Sequence, residues 1–246
     1  MSERQWLREY DPRSYPPFAV TVDLAVFTLR GDDLCVLLVR RGEYPHRGRW
    51  ALPGGHVLHG RESADDAAHR ELLEETGVDA WRSNAHLQQL AAYSAPDRDP
   101  RMAAGLQVVS IAYVALAPGL PDAVAGTDAA DARWTPVGAV PALAFDHDRI
   151  LADAVERVRA KLEYTTSALH FVTAPFSLTE LRRVYEAVWG RSVEPANFRR
   201  KVLATPGFVS PVDRAATAPG RRGGRPPELY GPGGAATVDP PIRRPM

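Results

Sequence analysis

Along the chain the spacing of apolar residues changes character twice, and each change marks an architectural boundary. Ala19 to Leu29 and Leu34 to Arg40 are rich in apolar and β-branched residues and are separated by Gly31-Asp32-Asp33, which predicts a β-hairpin. Gly105 to Ala117 reads as a further strand and Ala132 to Thr135 as a shorter one. Between them, Ser63 to Thr76 lacks Gly and Pro and is stopped by Gly77, the pattern of a helix ended by a left-handed cap. From His147 to Tyr164 the apolar residues Leu151, Val155, Val158 and Leu162 recur at steps of four, three and four. That spacing predicts an amphipathic helix whose stripe packs on a second domain or on another subunit.

Beyond Thr165 short helices take over. Ser177-Leu178-Thr179-Glu180 is a capping box opening a helix with Leu181, Val184, Tyr185 and Val188 facing inward, and Gly190 ends it. Pro195 suits the first position of a second helix running to about Ala204. Two helices joined by a tight turn predict a helix-turn-helix or, equally from the pattern alone, a protein-interaction module. If Phe198 and Val202 anchor the second helix, Asn197, Arg200 and Lys201 project outward with Arg199 beside them, as reading of base edges and phosphates requires. A hairpin with arms Gly207 to Val212 and Pro227 to Tyr230 follows, and Arg221, Arg222 and Arg225 at its tip suit phosphates or a narrow minor groove. The last residues have few apolar groups, so a loose tail is expected.

Composition sharpens this outline at two points. No apolar run approaches the roughly 18 residues of a membrane span, and the N-terminus has no apolar signal core, so a cytoplasmic protein with no membrane partner is expected. Cys35, the single cysteine, lies in an apolar run and is read as packed. A net charge of zero conceals a division: residues 165–246 hold 12 Lys/Arg and 6 Asp/Glu, leaving 18 and 24 for residues 1–164. An acidic half is thus joined to a basic, polyanion-seeking one.

The acidic half contains the densest chemistry. On a helix Glu71 and Glu75 lie four apart on one face with Glu74 beside them, and a hard cation such as Mg²⁺ or Mn²⁺ would relieve their repulsion. Arg70 can tether Glu62 across the preceding loop, and Gly54-Gly55 lets backbone groups approach a metal or a diphosphate closely. Arg98 and Arg101 are candidate diphosphate clamps, Phe145 a candidate aromatic platform, and His147 a candidate imidazole contact.

From Glu62 to Val78 the residues resemble the Nudix box, matching Glu, seven residues, Arg-Glu-Leu-Leu-Glu-Glu-Thr-Gly-Val, although six residues and not five separate Gly55 from Glu62. With Leu-Leu-Val-Arg-Arg-Gly before it and Asn-Phe-Arg-Arg-Lys and Gly-Arg-Pro-Pro-Glu-Leu-Tyr after it, the chain is similar to NrtR-type regulators of NAD metabolism. The resemblance implies an α/β (α+β) fold: a Nudix α/β/α sandwich over 18–146 after an arm (1–17), an interface helix (147–164), a winged helix-turn-helix (165–232) and a disordered tail (233–246). It further implies metal at Glu71, Glu74 and Glu75, ADP-ribose or a related nucleotide as effector, a homodimer, a double-stranded operator, and repression of NAD biosynthesis or salvage genes. If the domain hydrolyses ADP-ribose, Glu62, Arg70 and Glu74 are implied to take part. Many Nudix hydrolases use a later loop glutamate as base, and residues 77–155 contain none, so a sensor is favoured.

Overall fold

The computed structural model describes every residue except Trp81, Ser83, Asn84, Thr127, Asp128, 213–227 and Met246. Helix α1 (Glu3–Glu9) has no buried residue. Strands β1 (Phe18–Arg30) and β2 (Asp33–Arg41) form the expected hairpin, followed by the short β3 (Trp50–Ala51) and β4 (Gly54–His56). Helix α2 (Ala64–Thr76) opens with a capping box between Ser63 and Asp66 and closes at Gly77 with φ 68°. Then come β5 (Gln88–Tyr93), β6 (Gln107–Leu116), β7 (Ala129–Pro136) and α3 (His147–Tyr164).

The strands form one sheet ordered β3-β2-β1-β6-β5, with β4 also paired to β1 and β7 to β2. Only the β1/β6 pair among them is parallel. Because side chains alternate along a strand, β1 serves two layers. Val22, Leu24 and Val26 pack with Ala67, Ala68 and Leu72 of α2, whereas Ala25 and Phe27 join the cluster containing Ile150, Leu151 and Ala154 of α3. Asp23 shares the second parity and so meets the start of α3.

Helices α4 (Leu178–Trp189) and α5 (Pro195–Ala204) follow, with a three-stranded sheet ordered β8 (Phe176–Ser177), β10 (Leu229–Pro232) and β9 (Val209–Pro211). The α4 capping box and the Gly190 stop are as the residues require, and Glu194 caps α5 by accepting from the Ala196 and Asn197 amides. One hydrophobic cluster runs from the sheet through Leu151, Val155, Val158 and Leu162 of α3 into Leu181, Tyr185, Phe198 and Val202. The stripe of α3 therefore packs on both modules of the same chain.

The expectation of a loose tail is overturned. Val238 and Ile242 are 3% and 1% exposed within that same cluster. Two apolar side chains suffice here because backbone hydrogen bonds to the end of α3 align the segment, which composition could not reveal.

Candidate nucleotide cleft and DNA-reading surface

A cleft of about 220 Å³ opens where β1, the glycine turn, α2 and the start of α3 meet. The Leu24 amide donates to the Pro53 carbonyl (2.8 Å), fixing the turn on β1. A Cβ at Gly55 would collide with the Glu71 carboxylate, and one at Gly54 with the Val22 carbonyl. The Gly54 amide donates to Glu75 (2.9 Å). Both glycines thus exist for close approach, as their position before the acidic helix suggested.

Arg70 gathers the box. It donates to Glu62 twice (3.0 and 2.7 Å), to Glu71 (2.8 Å), to Glu74 (2.9 Å) and to the His56 carbonyl (3.0 Å). That arginine, with the Leu58 amide, holds the Glu62 carboxyl down to about 2. The extra loop residue is absorbed in a turn in which the Arg61 amide donates to the Leu58 carbonyl (3.0 Å) and Gly60 takes φ 69°. Glu62 therefore keeps its reach to Arg70.

Glu71 and Glu75 line the cleft, and Glu74 does not. Glu74 is half exposed and turned to Arg70, so the expected convergence of three carboxylates is only a pair at the cleft. Burial pushes Glu71 upward, with Glu74 and Glu62 adding to it, and burial takes Glu75 to about 7, with the Glu71 carboxylate beside it raising it further. Among the described residues no three His, Cys, Asp or Glu side chains stand arranged around one metal position. Two adjacent carboxylates that resist ionising beside a glycine turn nevertheless suit a hard divalent cation in charge and in donor type.

Opposite lies a buried ionic network that corrects the reading of Arg98. Its guanidinium lines the cleft but is 3% exposed and donates to Asp146 (3.1 and 2.7 Å) and to Asp23 (3.2 Å), so most of its donors are spent on the fold rather than left for a diphosphate. Asp23 would be raised by burial, yet His147, Ser110 and Arg98 bring it down to about 2. The carboxyl of Asp146 serves Arg98 and not the helix cap. His147 lines the cleft with both ring nitrogens engaged: Nδ1 accepts from the Leu52 amide (3.0 Å), and Nε2 lies 3.3 Å from Asp23. Nδ1 thus carries no proton, and the ring serves as a strut.

Phe145 stands at the cleft. It is half buried in the cleft wall with φ 55°, edged by His46 (4.7 Å) and His147 (5.2 Å), with Arg41 stacked over its ring (4.9 Å). Arg101 also lines the cleft, paired with Asp99 (2.7 Å) and with its Nη1 2.6 Å from the His56 ring. Burial and Arg101 both lower His56, so a neutral ring accepts that bond. His56 gave no local signal in the chain, and Arg41 was marked only as part of the Leu-Leu-Val-Arg-Arg-Gly run. Asp23 did, since a lone carboxylate inside the apolar strand Val22-Asp23-Leu24 must find buried partners.

On the second module Phe198 and Val202 are buried, and Arg199 and Arg200 are exposed. Asn197 and Lys201 are only half exposed, because they face the C-terminal segment rather than open solvent. Arg200 donates to Asn197 (2.7 Å), Lys201 to the Arg243 carbonyl (3.0 Å), and Arg199 to Glu228 (2.8 Å). Arg221, Arg222 and Arg225, expected at the wing tip, lie outside the described residues. No helix among the described residues is long and apolar enough to cross a membrane.

Together, an acidic helix behind a glycine turn and a helix-turn-helix with a small sheet define a Nudix-fold domain fused to a winged helix. A NUDIX domain model matches residues 17–154, and a model of the NrtR DNA-binding winged helix domain matches residues 168–231. The chain is 34% identical over 232 residues to the ADPR responsive transcriptional repressor NtrR of Acinetobacter baylyi, covering 93% of this chain and 88% of that protein. Shewanella oneidensis NrtR complexed with a 27mer DNA superposes with a TM-score of 0.65 at 28% identity, covering 91% of this chain and 99% of that one. The NUDIX domain of the same Shewanella protein complexed with ADP ribose superposes with a TM-score of 0.55 at 32% identity, covering 64% and 99%. The chain belongs to the NrtR family.

Proposed function

We propose that this protein is a transcriptional repressor that releases its operator when ADP-ribose or a close relative enters the Nudix cleft, and that it acts in the cytoplasm on genes of NAD biosynthesis or salvage. The observation that carries this reading is the continuity of α3. Its first residue, His147, walls the cleft, and its last turns share a hydrophobic core with the helix-turn-helix. A ligand that prefers one setting of α3 therefore biases the presentation of α5 to DNA. Arg101 and Arg41 are the cleft cations placed for a diphosphate, Phe145 is the platform for a flat ring, and Glu71 and Glu75 would hold Mg²⁺ or Mn²⁺. When bound, such an ion neutralises the diphosphate and, in hydrolases, activates water.

The reader acts as a homodimer on a palindromic site. Supporting this, Trp6, Leu7, Tyr10, Tyr15 and Phe18 are all exposed, with Trp6 and Tyr10 stacked at 4.8 Å. Such an aromatic patch on an arm with no buried residue of its own suits a second copy. Arg200 and Arg199, with the wing arginines, make the DNA contacts. In a gel-shift series with upstream genomic fragments, a specific complex that dissolves on adding ADP-ribose is expected. No specific shift at any fragment would end this reading.

The intact Glu62–Arg70 pair and the Glu71/Glu75 wall favour a second activity, Mg²⁺-dependent cleavage of ADP-ribose. No glutamate follows the box before Glu156; Glu43, upstream of it, is the remaining glutamate in the cleft lining. AMP release abolished by Glu75→Gln would establish turnover, and binding without release would leave a pure sensor.

A further inference from the structure

The C-terminal residues 233–245 run from the end of α5 to α3 and make bonds to both. Leaving β10, the Gly233 and Ala235 amides donate to the Phe208 and Gly207 carbonyls just past α5 (3.0 and 2.9 Å). Thr237 bridges Thr165, and the Val238 and Ile242 amides donate to the Tyr164 and Glu163 carbonyls at the end of α3 (3.0 and 3.1 Å). Further on, Arg244 pairs with Glu156 (2.7 Å) and Glu163 (3.4 Å) on α3. The carbonyls of Pro240, Arg243 and Pro245 face the reader instead, accepting from the Thr205 hydroxyl (3.4 Å), Lys201 (3.0 Å) and Arg191 (2.8 Å).

This division of labour has a physical consequence. From Val238 onward amides and the Arg244 side chain hold α3, whereas the Gly233 and Ala235 amides and the carbonyls of Pro240, Arg243 and Pro245 hold the helix-turn-helix side, so neither helix can turn against the other without breaking one set. The inner end is anchored by Val238 and Ile242 in the core, but the outer end rests on ion pairs with half-exposed partners, which are individually weak and easily exchanged. While the Arg243 carbonyl accepts from the Lys201 ammonium, that side chain is turned toward the segment, with one of its three donors committed there rather than to a phosphate.

We propose that residues 233–245 form a strap that sets the orientation of α5 on α3 and withholds Lys201 from the duplex in this conformation, with Ile242 and Arg244 as positioning residues. The proposal rests on the DNA-binding reading above. It assigns the link between cleft and reader to a segment beyond the matched winged-helix residues 168–231.

The test uses the full-length chain and a duplex enriched by the wild type from a random-sequence library, with anisotropy measured over a salt series with and without ADP-ribose. Arg244→Gln should change the ratio of duplex Kd with and without ADP-ribose by about threefold or more. It should also steepen the slope of log K against log salt by about one, as Lys201 gains a phosphate. Arg244→Lys should restore both, which a merely structural role would not predict. A chain ending at Asp239 should show the larger effect; if it does not fold, the two point variants decide. Wild-type ratio and slope in Arg244→Gln would overturn the strap while leaving the repressor reading intact. A wild-type chain that enriches no duplex, or one indifferent to ADP-ribose, would overturn the repressor reading and the strap with it.

Discussion

The charges around the cleft and those on α5 are managed in opposite ways. At the cleft Arg98, Asp23 and Asp146 are buried or nearly so, and each is matched by named partners within hydrogen-bond distance. On α5, Arg199 and Arg200 are exposed, and Arg200 leans on an amide of its own helix. Buried charge is tolerated only when paired, so the cleft is a rigid, pre-set geometry. Exposed charge contributes little to the fold and exchanges partners freely, as a surface that meets phosphates must. One half of the molecule is therefore built to recognise a fixed shape, and the other to rearrange on contact.

The largest expected effect breaks the buried side of this contrast. Arg98→Met strands Asp23 and Asp146 in the interior and should cost about 3–5 kcal/mol in chemical denaturation. A loss under 1 kcal/mol would mean that the network is not the strut described here.

Next is the acid limb of stability. Asp23 titrates at about 2 in the fold against about 3.9 in an unfolded chain, so it stabilises the protein above pH 4. That contribution, about 2–3 kcal/mol, should fade as pH falls from 4 toward 2 and be absent in Asp23→Asn. Glu75 has the opposite sign. With its carboxyl raised to about 7, the metal-free fold is favoured while Glu75 is protonated and loses that advantage as pH rises through 7. Melting scans should then show Mg²⁺ stabilising the protein more at pH 8 than at pH 6. Equal stabilisation at both would remove Glu75 from the metal.

A smaller effect is expected of Gly55→Ala, whose methyl group would displace Glu71. Calorimetry should find ADP-ribose binding in Mg²⁺ weakened by roughly tenfold, about 1.4 kcal/mol, with little change in melting temperature. Smallest is Arg200→Ala: stability within about 0.5 kcal/mol of wild type, and DNA affinity reduced with a salt slope shallower by about one if the contact is to phosphate. Unchanged DNA binding would move the reading surface off the exposed face of α5.

Much of the site was legible before the fold. The acidic helix, the two glycines and Phe145 lie at one cleft, and the Arg70–Glu62 tether forms as the spacing predicts. What misled was treating each arginine and carboxylate as free. Arg98 looked like a phosphate clamp because its loop neighbours are turn residues, yet its partners come from β1 and from the residue before α3. Glu74 was counted with the metal-facing pair because helical spacing alone cannot say on which side of Arg70 a carboxylate settles. The tail differs from its expectation for a similar reason: its composition is poor in large apolar residues, but Val238 and Ile242 fall into the core beside the end of α3.

What the amino-acid order determined unaided is therefore everything set by neighbours: helix α2 between Ser63 and Gly77, α4 between Ser177 and Gly190, the alternation of β1 between two layers, and the glycine turn. These follow from capping, left-handed backbone and side-chain period, which act over a few residues. Which charges are spent on the fold and which remain for ligands was decided only in three dimensions. Arg98 meets Asp146 across 48 residues and Asp23 across 75, and Lys201 meets Arg243 across 42. No local rule connects such pairs, and only the packed chain brings them within the few ångströms at which one charge can satisfy another.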